Sequence, residues 1–495
     1  MARRPISKSP APAVAAPCWP RAAGRRPIPA SSLCNGWKPP GPVPAPARAS
    51  TWHWAPPRRR PATTPPATTS VSWMPRRWRA CCRQVCRKRP ASSRIWRLTA
   101  RAAFPHCPRA ALRSPPMPPI ETSCPPAPRQ GIRIAAPDAG ALQAECQAAR
   151  NFLQGLGLAR YVQAVPDGPH AMHFEPSQAL LDQAPQRDTT ALCARLGLDT
   201  EARADDLARE ILLAMLLGPV AFPFPDAAEL RSAVRIRQHI VQAARKTALA
   251  FDTEQAERPA GYWRYDEARG FTIEPGVSLI EALQKATQPD ASGKLYSFSC
   301  YRATEYVTLL GIALELRDAH PALYARLERQ WQTRAIMSGP FHDVFLREYG
   351  SMDAPLPPRY YVPGDRLWFR NPDAHSSNVE GYEGSWVFYL GSGLFNNFWK
   401  RDQPYTLTSK CVEIYHWRDG ARQDGQGRLV LDEAIVEERV ARSLADPAMV
   451  RDILARMLRR RDPQGVYAEG GCIDATRECA QWVLPGTAQI VLPDA

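Results

Sequence analysis

Cys300 is the residue of this 495-residue chain best placed to do chemistry. It closes an aromatic-rich run, Tyr296-Ser-Phe-Ser-Cys300, and an apolar helical pattern follows at once, to about Asp318. A thiol at a helix N-terminus meets the positive end of the helix dipole and backbone N–H groups without helical partners, and both favour thiolate. Such a thiolate is a nucleophile that can form a thioester. The competing reading is a buried structural cysteine, which behaves as a small apolar side chain. The sequence offers no His-x-x-x-His, no Asp-rich loop of the EF-hand kind and no Gly-rich phosphate loop, so no metal, calcium or other cofactor is expected.

Charge is divided unevenly. Residues 1–130 hold 24 Lys and Arg against one acidic residue, Glu121, while the whole chain is +16, so the remainder is net acidic. That tail also carries 28 of the 51 prolines, 7 of the 13 cysteines and 7 of the 14 tryptophans. Pro and Arg at this density, without apolar periodicity, cannot bury a core that offsets chain entropy. The tail is therefore expected either to be disordered or to precede a native start near Met117. A basic arm binding nucleic acid or an anionic surface is the functional alternative for this tail, and no nucleic-acid partner is expected elsewhere. No apolar h-region marks a secretory signal, and Ile211–Phe222, the most apolar stretch, is too short to span a bilayer. The later cysteines, Cys146, Cys193, Cys300, Cys411, Cys472 and Cys479, follow no zinc-site spacing. Reduced thiols in the cytoplasm are the expectation.

The elements that must position Cys300 follow from periodicity. Residues 137–165 read as a helix capped by Asp138, and Thr189–Leu196 and Ala204–Leu217 are helical. Residues 226–250 form a longer helix, with Leu230, Val234, Ile240 and Val241 as its apolar stripe. Gly261-Tyr-Trp-Arg-Tyr and Gly270-Phe-Thr-Ile make a hairpin, and Ser278 with Glu281 opens a short helix as a capping box. A further helix covers Pro321–Gln332. After Pro358 the texture turns to strands: Arg366–Arg370, Gly384–Gly391, Leu394–Trp399 and Val412–Trp417. Residues 431–460 return to helix, and Ile490–Leu492 suggests a closing strand. Helices first and antiparallel strands later predict an α+β domain. The organisation expected is a tail over 1–130, an accessory helical region over 131–225, a catalytic domain over 226–425 and a C-terminal helical extension over 426–495.

Between Asp226 and Trp417 the chain resembles the bacterial spore-coat type of protein-glutamine gamma-glutamyltransferase. The matching pieces are Ile240-Val-Gln-Ala-Ala-Arg-Lys-Thr, Tyr262-Trp263-Arg264, Tyr296-Ser-Phe-Ser-Cys300, Gly364-Asp365-Arg-Leu-Trp-Phe369-Arg-Asn371-Pro372, Gly384–Gly391 and Phe395, in that order. The resemblance implies a papain-like (NlpC/P60-like) core, with Cys300 on a helix packed against a small antiparallel sheet. It also implies acyl transfer without a cofactor: Cys300 attacks a protein glutamine, ammonia leaves, and a lysine amine takes the acyl group. The partners are then proteins with accessible Gln and Lys.

Where the family carries glutamates, this chain has Ser299 and Ser385. Neither serine is a useful base at neutral pH. Glu383 lies two residues before Ser385, on the same face of an extended strand, and could reach the same cleft. His375 lies in the loop just before, and imidazole is a common partner of a catalytic thiol. Both are candidate bases. Donors at the helix start, the N–H groups of Cys300 and Tyr301, suit an oxyanion. Tyr262, Trp263, Tyr296, Trp368 and Trp386 are candidate cleft walls. Two alternatives remain open: a papain-like amidase, deamidase or peptidase using water, and a catalytically dead homologue that only binds protein.

Overall fold

The computed structural model describes residues 130–250, 256–336, 338–461 and 470–492. The expected basic tail lies outside these, but for Gln130. The described part is an α+β assembly built on two sheets. The first has the order β2-β3-β1-β4: β1 is Gly131–Ala135, β2 Val162–Pro166, β3 Ala171–Pro176 and β4 Ala221–Phe224. Helix α1 (Ala139–Gly155) crosses between β1 and β2, its first turn capped by Asp138, which accepts from the Ala141 N–H at 2.8 Å. Helices α2 (Gln178–Gln183), α3 (Leu192–Leu196) and α4 (Ala204–Leu216) connect β3 to β4.

Helix α5 (Ala227–Lys246) begins at Asp226, whose carboxylate accepts from the Glu229 N–H at 2.7 Å, a cap worth ~1 kcal/mol. The hairpin β5 (Trp263–Asp266) and β6 (Gly270–Ile273) pairs Trp263 with Ile273. Helices α6 (Leu279–Thr287) and α7 (Pro289–Ser292) precede the Cys300 helix, α8 (Cys300–Ala319), and α9 (Pro321–Thr333) and α10 (Ser338–Phe345) follow it. Buried residues of α5, α6 and α8, among them Val234, Ile240, Leu283, Val307 and Leu310, form one core. Gly311 lets α5 and α8 close up, because a Cβ there would lie 2.5 Å from Ile240 Cγ1.

The second sheet has six strands in the order β11-β10-β9-β8-β14-β7. Its members are β7 (Leu346–Tyr349), β8 (Arg366–Arg370), β9 (Gly384–Gly391), β10 (Leu394–Phe395), β11 (Tyr405–Thr406) and β14 (Arg477–Ala480). All its pairings are antiparallel. Alternate residues of β9 face opposite ways, as a pleated strand requires. Phe388 and Leu390 join the core with α8, while Val387 and Tyr389 join a second core with Leu407, Cys411 and Ile414 of α11 (Leu407–Gly420). The sheet is thus covered by α8 on one face and α11 on the other. A small hairpin, β12 (Ala421–Gln423) and β13 (Leu429–Leu431), and helices α12 (Glu433–Leu444) and α13 (Pro447–Met457) complete the order.

Several expectations change. Val412–Trp417, read as a strand, lies in α11. The run starts with a capping box between Thr406 and Ser409, and Leu407, Cys411, Ile414 and Trp417 recur at helical spacing on its buried side. Only Leu394–Phe395 of the Leu394–Trp399 run is a strand, because Asn396 turns its side chain onto the Phe388 N–H at 2.5 Å. Residues 131–225, expected as helical, carry a four-stranded sheet as well. The expected C-terminal helical extension ends in β14, which enters the main sheet between β8 and β7, whereas Ile490–Leu492 is not a strand. The Ser278–Glu281 capping box does not form: Glu281 instead accepts from the Tyr262 hydroxyl at 3.0 Å.

Candidate active site

Cys300 is the first residue of α8, and Ser299 is its N-cap. The Ser299 hydroxyl accepts from the Arg302 N–H at 3.3 Å, so the serine at the family's acidic position closes the helix end. Cys300 is half-buried. Its sulfur lies at an open stretch of the β9 edge. On β9, strand β10 pairs only with Tyr389 and Gly391, and Asn396 occupies Phe388. The next N–H on that edge, Trp386, is left without a strand partner and donates to the Cys300 sulfur, as does the Tyr301 N–H.

Burial is the largest influence on this thiol and pushes its pKa above the ordinary value. The Trp386 N–H, the Lys410 ammonium and the Tyr301 N–H pull down against it, and the Glu383 carboxylate adds to the rise. Burial therefore opposes the helix-start thiolate expected from sequence. A helix dipole contributes up to about 2 kcal/mol, and desolvation of the sulfur acts against it. A neutral thiol needs a base.

Glu383 is the carboxylate that acts on Cys300. The residue is exposed over much of its surface, yet desolvation of its carboxyl, reinforced by Glu380, raises its pKa. Its position is set by Asn371: the Asn371 N–H donates to the Glu383 carbonyl at 3.1 Å, and the Asn371 side chain donates to the Tyr382 carbonyl at 2.9 Å and the Ser376 hydroxyl at 3.0 Å. The fully buried asparagine of the Asn371-Pro372 motif thus pins both ends of the loop 371–383. His375 sits exposed in that loop at the start of a single 3₁₀ turn. It neighbours Asp373, and it is not among the groups with the largest influence on Cys300.

Behind Cys300 lies an aromatic and cationic stack. Trp386 meets Tyr301 edge to face at 5.2 Å and stacks on its cross-strand neighbour Trp368 at 6.0 Å. The Arg366 guanidinium lies 3.9 Å over Trp386 and 4.7 Å over Tyr301, a cation–π geometry. Arg366 is 1% exposed, pairs with Glu478 of β14 and donates to the Thr304 hydroxyl at 2.7 Å. His342 Nε2 lies 2.8 Å from the other oxygen of Glu478. Of the other candidate wall residues, Trp263 is core: it stacks on Tyr306 and donates to the Ala282 carbonyl at 2.9 Å.

The Gly364-Asp365 motif is structural. Gly364 has φ +85° in the turn before β8, and Asp365 is fully buried, accepting from Arg237 Nη1 at 2.8 Å and the Val362 N–H at 2.7 Å.

Sequence reasoning missed Lys410. Its side chain is 3% exposed on α11, donates to Glu413 at 3.0 Å and sits 4.0 Å over the Tyr405 ring. With α11 recognised as a helix, the signal is visible: Lys410 falls on the apolar stripe of Leu407, Cys411 and Ile414, where a lysine is almost never found unless it is paired. Among the described residues, no three His, Cys, Asp or Glu side chains converge as a metal site, and no helix is long and apolar enough to cross a membrane.

The site belongs to the class of α+β proteins that set a helix-borne cysteine against an antiparallel sheet. The family model of protein-glutamine gamma-glutamyltransferase matches residues 189–491, well over half of the chain, and the chain belongs to that family of acyltransferases acting on protein glutamine. The match takes in β14 as well as Cys300 and Glu383. Among solved structures, the transglutaminase from Geobacillus stearothermophilus without its C-terminal extension is similar at 21% identity and a TM-score of 0.30, over 43% of this chain and 98% of that one. No curated protein matches the chain by sequence.

Proposed function

We propose that the chain crosslinks protein glutamine to lysine side chains through a thioester on Cys300, with Glu383 as the base. The observation that carries this reading is the convergence on one thiol of two backbone N–H donors, Trp386 and Tyr301, and one carboxylate whose pKa is raised. Glu383 takes the thiol proton as sulfur attacks the glutamine carboxamide. The N–H pair then holds the tetrahedral oxyanion, with Trp386 as the donor the sheet edge supplies. The proton passes to the leaving amine, and ammonia departs. A lysine amine attacks the thioester and gives its proton to Glu383; the C–S bond breaks, an isopeptide bond remains, and the Cys300 thiolate takes the proton back from Glu383. Trp368 and Trp386 wall the cleft and disfavour water as acceptor.

The test is incorporation of a fluorescent primary amine into a glutamine-rich protein such as casein by the full chain, with chelator present, and ammonia release followed in parallel. Cys300-dependent incorporation is expected, and Cys300→Ala should abolish it. Ammonia release without incorporation would replace crosslinking with hydrolysis. Neither signal would leave a protein that only binds. We also place the chain in the cytoplasm, a reading that the six free cysteines of the described residues support. Recovery of the native protein with those thiols oxidised would overturn it.

A further inference from the structure

Arg258 is a buried cation just before the β5–β6 hairpin, and among the described residues no carboxylate pairs with it. Its guanidinium touches three elements at once. Nε donates to the Tyr306 hydroxyl of α8 at 3.1 Å, and Nη1 donates to the Ser297 carbonyl at 3.4 Å and the Glu257 carbonyl at 2.7 Å. The guanidinium carbon lies 4.0 Å from the centre of the Phe298 ring, 4.8 Å from that of Phe271 on β6 and 5.0 Å from that of Tyr306. Phe298 and Tyr306 also meet each other, with ring centroids 5.4 Å apart. Ser297 and Phe298 belong to the run that enters Cys300, and Tyr306 to the helix that leaves it. One side chain thus grips the chain on both sides of the nucleophile.

The backbone makes the same junction. The Glu257 N–H donates to the Ser297 carbonyl at 2.9 Å, so that oxygen takes donors from two consecutive residues. Burial works against the charge of Arg258 and lowers its pKa. An apolar residue would fill a site walled by aromatic rings without that cost. What it could not supply is a planar fork that reaches Ser297 and Tyr306 together.

We propose that Arg258 is a positioning residue for the nucleophile: by tying Ser297 and Phe298 to Tyr306, it fixes where the Cys300 sulfur stands at the start of α8. The inference rests on the thioester reading for its purpose, but concerns only the placement of Cys300. Placement matters because a shift of ~1 Å in a reacting group can cost ~10²-fold in rate.

The test uses the full chain. Amine incorporation into casein gives kcat and KM, and iodoacetamide alkylation is followed cysteine by cysteine by mass spectrometry. Arg258→Met should lower kcat by about tenfold or more and leave KM within about twofold. Arg258→Lys should fall likewise, because a point charge keeps the cation over Phe298 but loses the two-ended fork. Tyr306→Phe should also lower kcat, and adding it to Arg258→Met should cost little more, since both remove the same hydrogen bond. In each variant the pH midpoint for alkylation of Cys300 should move, while the buried Cys146, Cys193, Cys411, Cys472 and Cys479 stay protected. General loosening would expose those thiols too. If Arg258→Met fails to fold, Arg258→Lys and Tyr306→Phe carry the same expectations. Full kcat in Arg258→Lys, an unmoved Cys300 midpoint, or loss of protection at the buried thiols would overturn the inference. A moved midpoint with those thiols protected, in a chain that transfers no amine, would keep this inference and remove acyl transfer.

Discussion

The Arg366 guanidinium lies 3.9 Å over the ring of Trp386, the same residue whose backbone N–H donates to the Cys300 sulfur. A single buried cation therefore holds the strand that addresses the nucleophile, and the carboxylate that pairs with it, Glu478, arrives from the far end of the chain. This is why β14 is part of the catalytic unit rather than an appendage to it.

Glu478→Gln should lower stability by roughly 3–5 kcal/mol, since it leaves Arg366 buried without its counter-charge. Burial works to raise the Glu478 pKa, but Arg366 and His342 outweigh it, and the net direction is down. A carboxylate with a lowered folded pKa binds fewer protons in the native state than in the unfolded one. Its contribution is present in full above the unfolded value, about 4.3, and is lost as pH falls through the lower folded value. Thermal melts across acid pH should show this loss in the wild type and a flatter profile in Glu478→Gln. Equal slopes would mean that the pair is not ionised in the folded protein.

Glu383→Gln and His375→Ala separate the two candidate bases. Removing a general base costs about 10²–10⁴ in rate, so Glu383→Gln should fall by that much in kcat/KM. His375→Ala should stay within about twofold, on the scale where a positioned acid–base group is worth far more. Desolvation raises the Glu383 carboxyl. The wild type should therefore lose activity on acidification at a pH above the ordinary glutamate value, and Glu383→Gln should lack that limb. A large loss in His375→Ala would mean that the loop 371–383 carries the histidine onto the thiol during turnover.

Trp368→Ala should change the fate of the thioester more than its formation. Trp368 supports Trp386 from the neighbouring strand, with ring centroids 6.0 Å apart. Removing it admits water beside Cys300, so the ratio of ammonia released to amine incorporated should rise. An unchanged ratio with a lower rate would assign Trp368 to packing.

Much of this was legible in the sequence because local rules agreed with the fold. The pattern after Cys300 is helical from its first turn, Asp138 caps as its position suggests, and Gly384–Gly391 alternates between two cores. The failures share a cause. Val412, Ile414 and Trp417 are strand-forming types, but their partners on the sheet are non-local, and packing decided for a helix. The same misreading hid Lys410, whose meaning appears only when it falls beside Leu407 and Cys411. The role of Arg366 was equally invisible, because Glu478 lies 112 residues away in sequence.

Gly311 in the middle of α8 is a residue that helix propensity disfavours by about 1 kcal/mol relative to alanine. Its presence is explained by Ile240: a Cβ at 311 would lie 2.5 Å from Ile240 Cγ1 and 3.1 Å from the Ile240 backbone nitrogen. Alanine would gain helix propensity but force α5 and α8 apart, and overpacking of this kind costs about 1–3 kcal/mol. Gly311→Ala should therefore destabilise the chain in urea or thermal melts, against the propensity trend. Because α8 carries Cys300 at its N-terminus, the displacement should also slow alkylation of Cys300 at fixed pH. A variant as stable as wild type would show that the two helices have room to separate, and that the close contact is not what fixes the nucleophile.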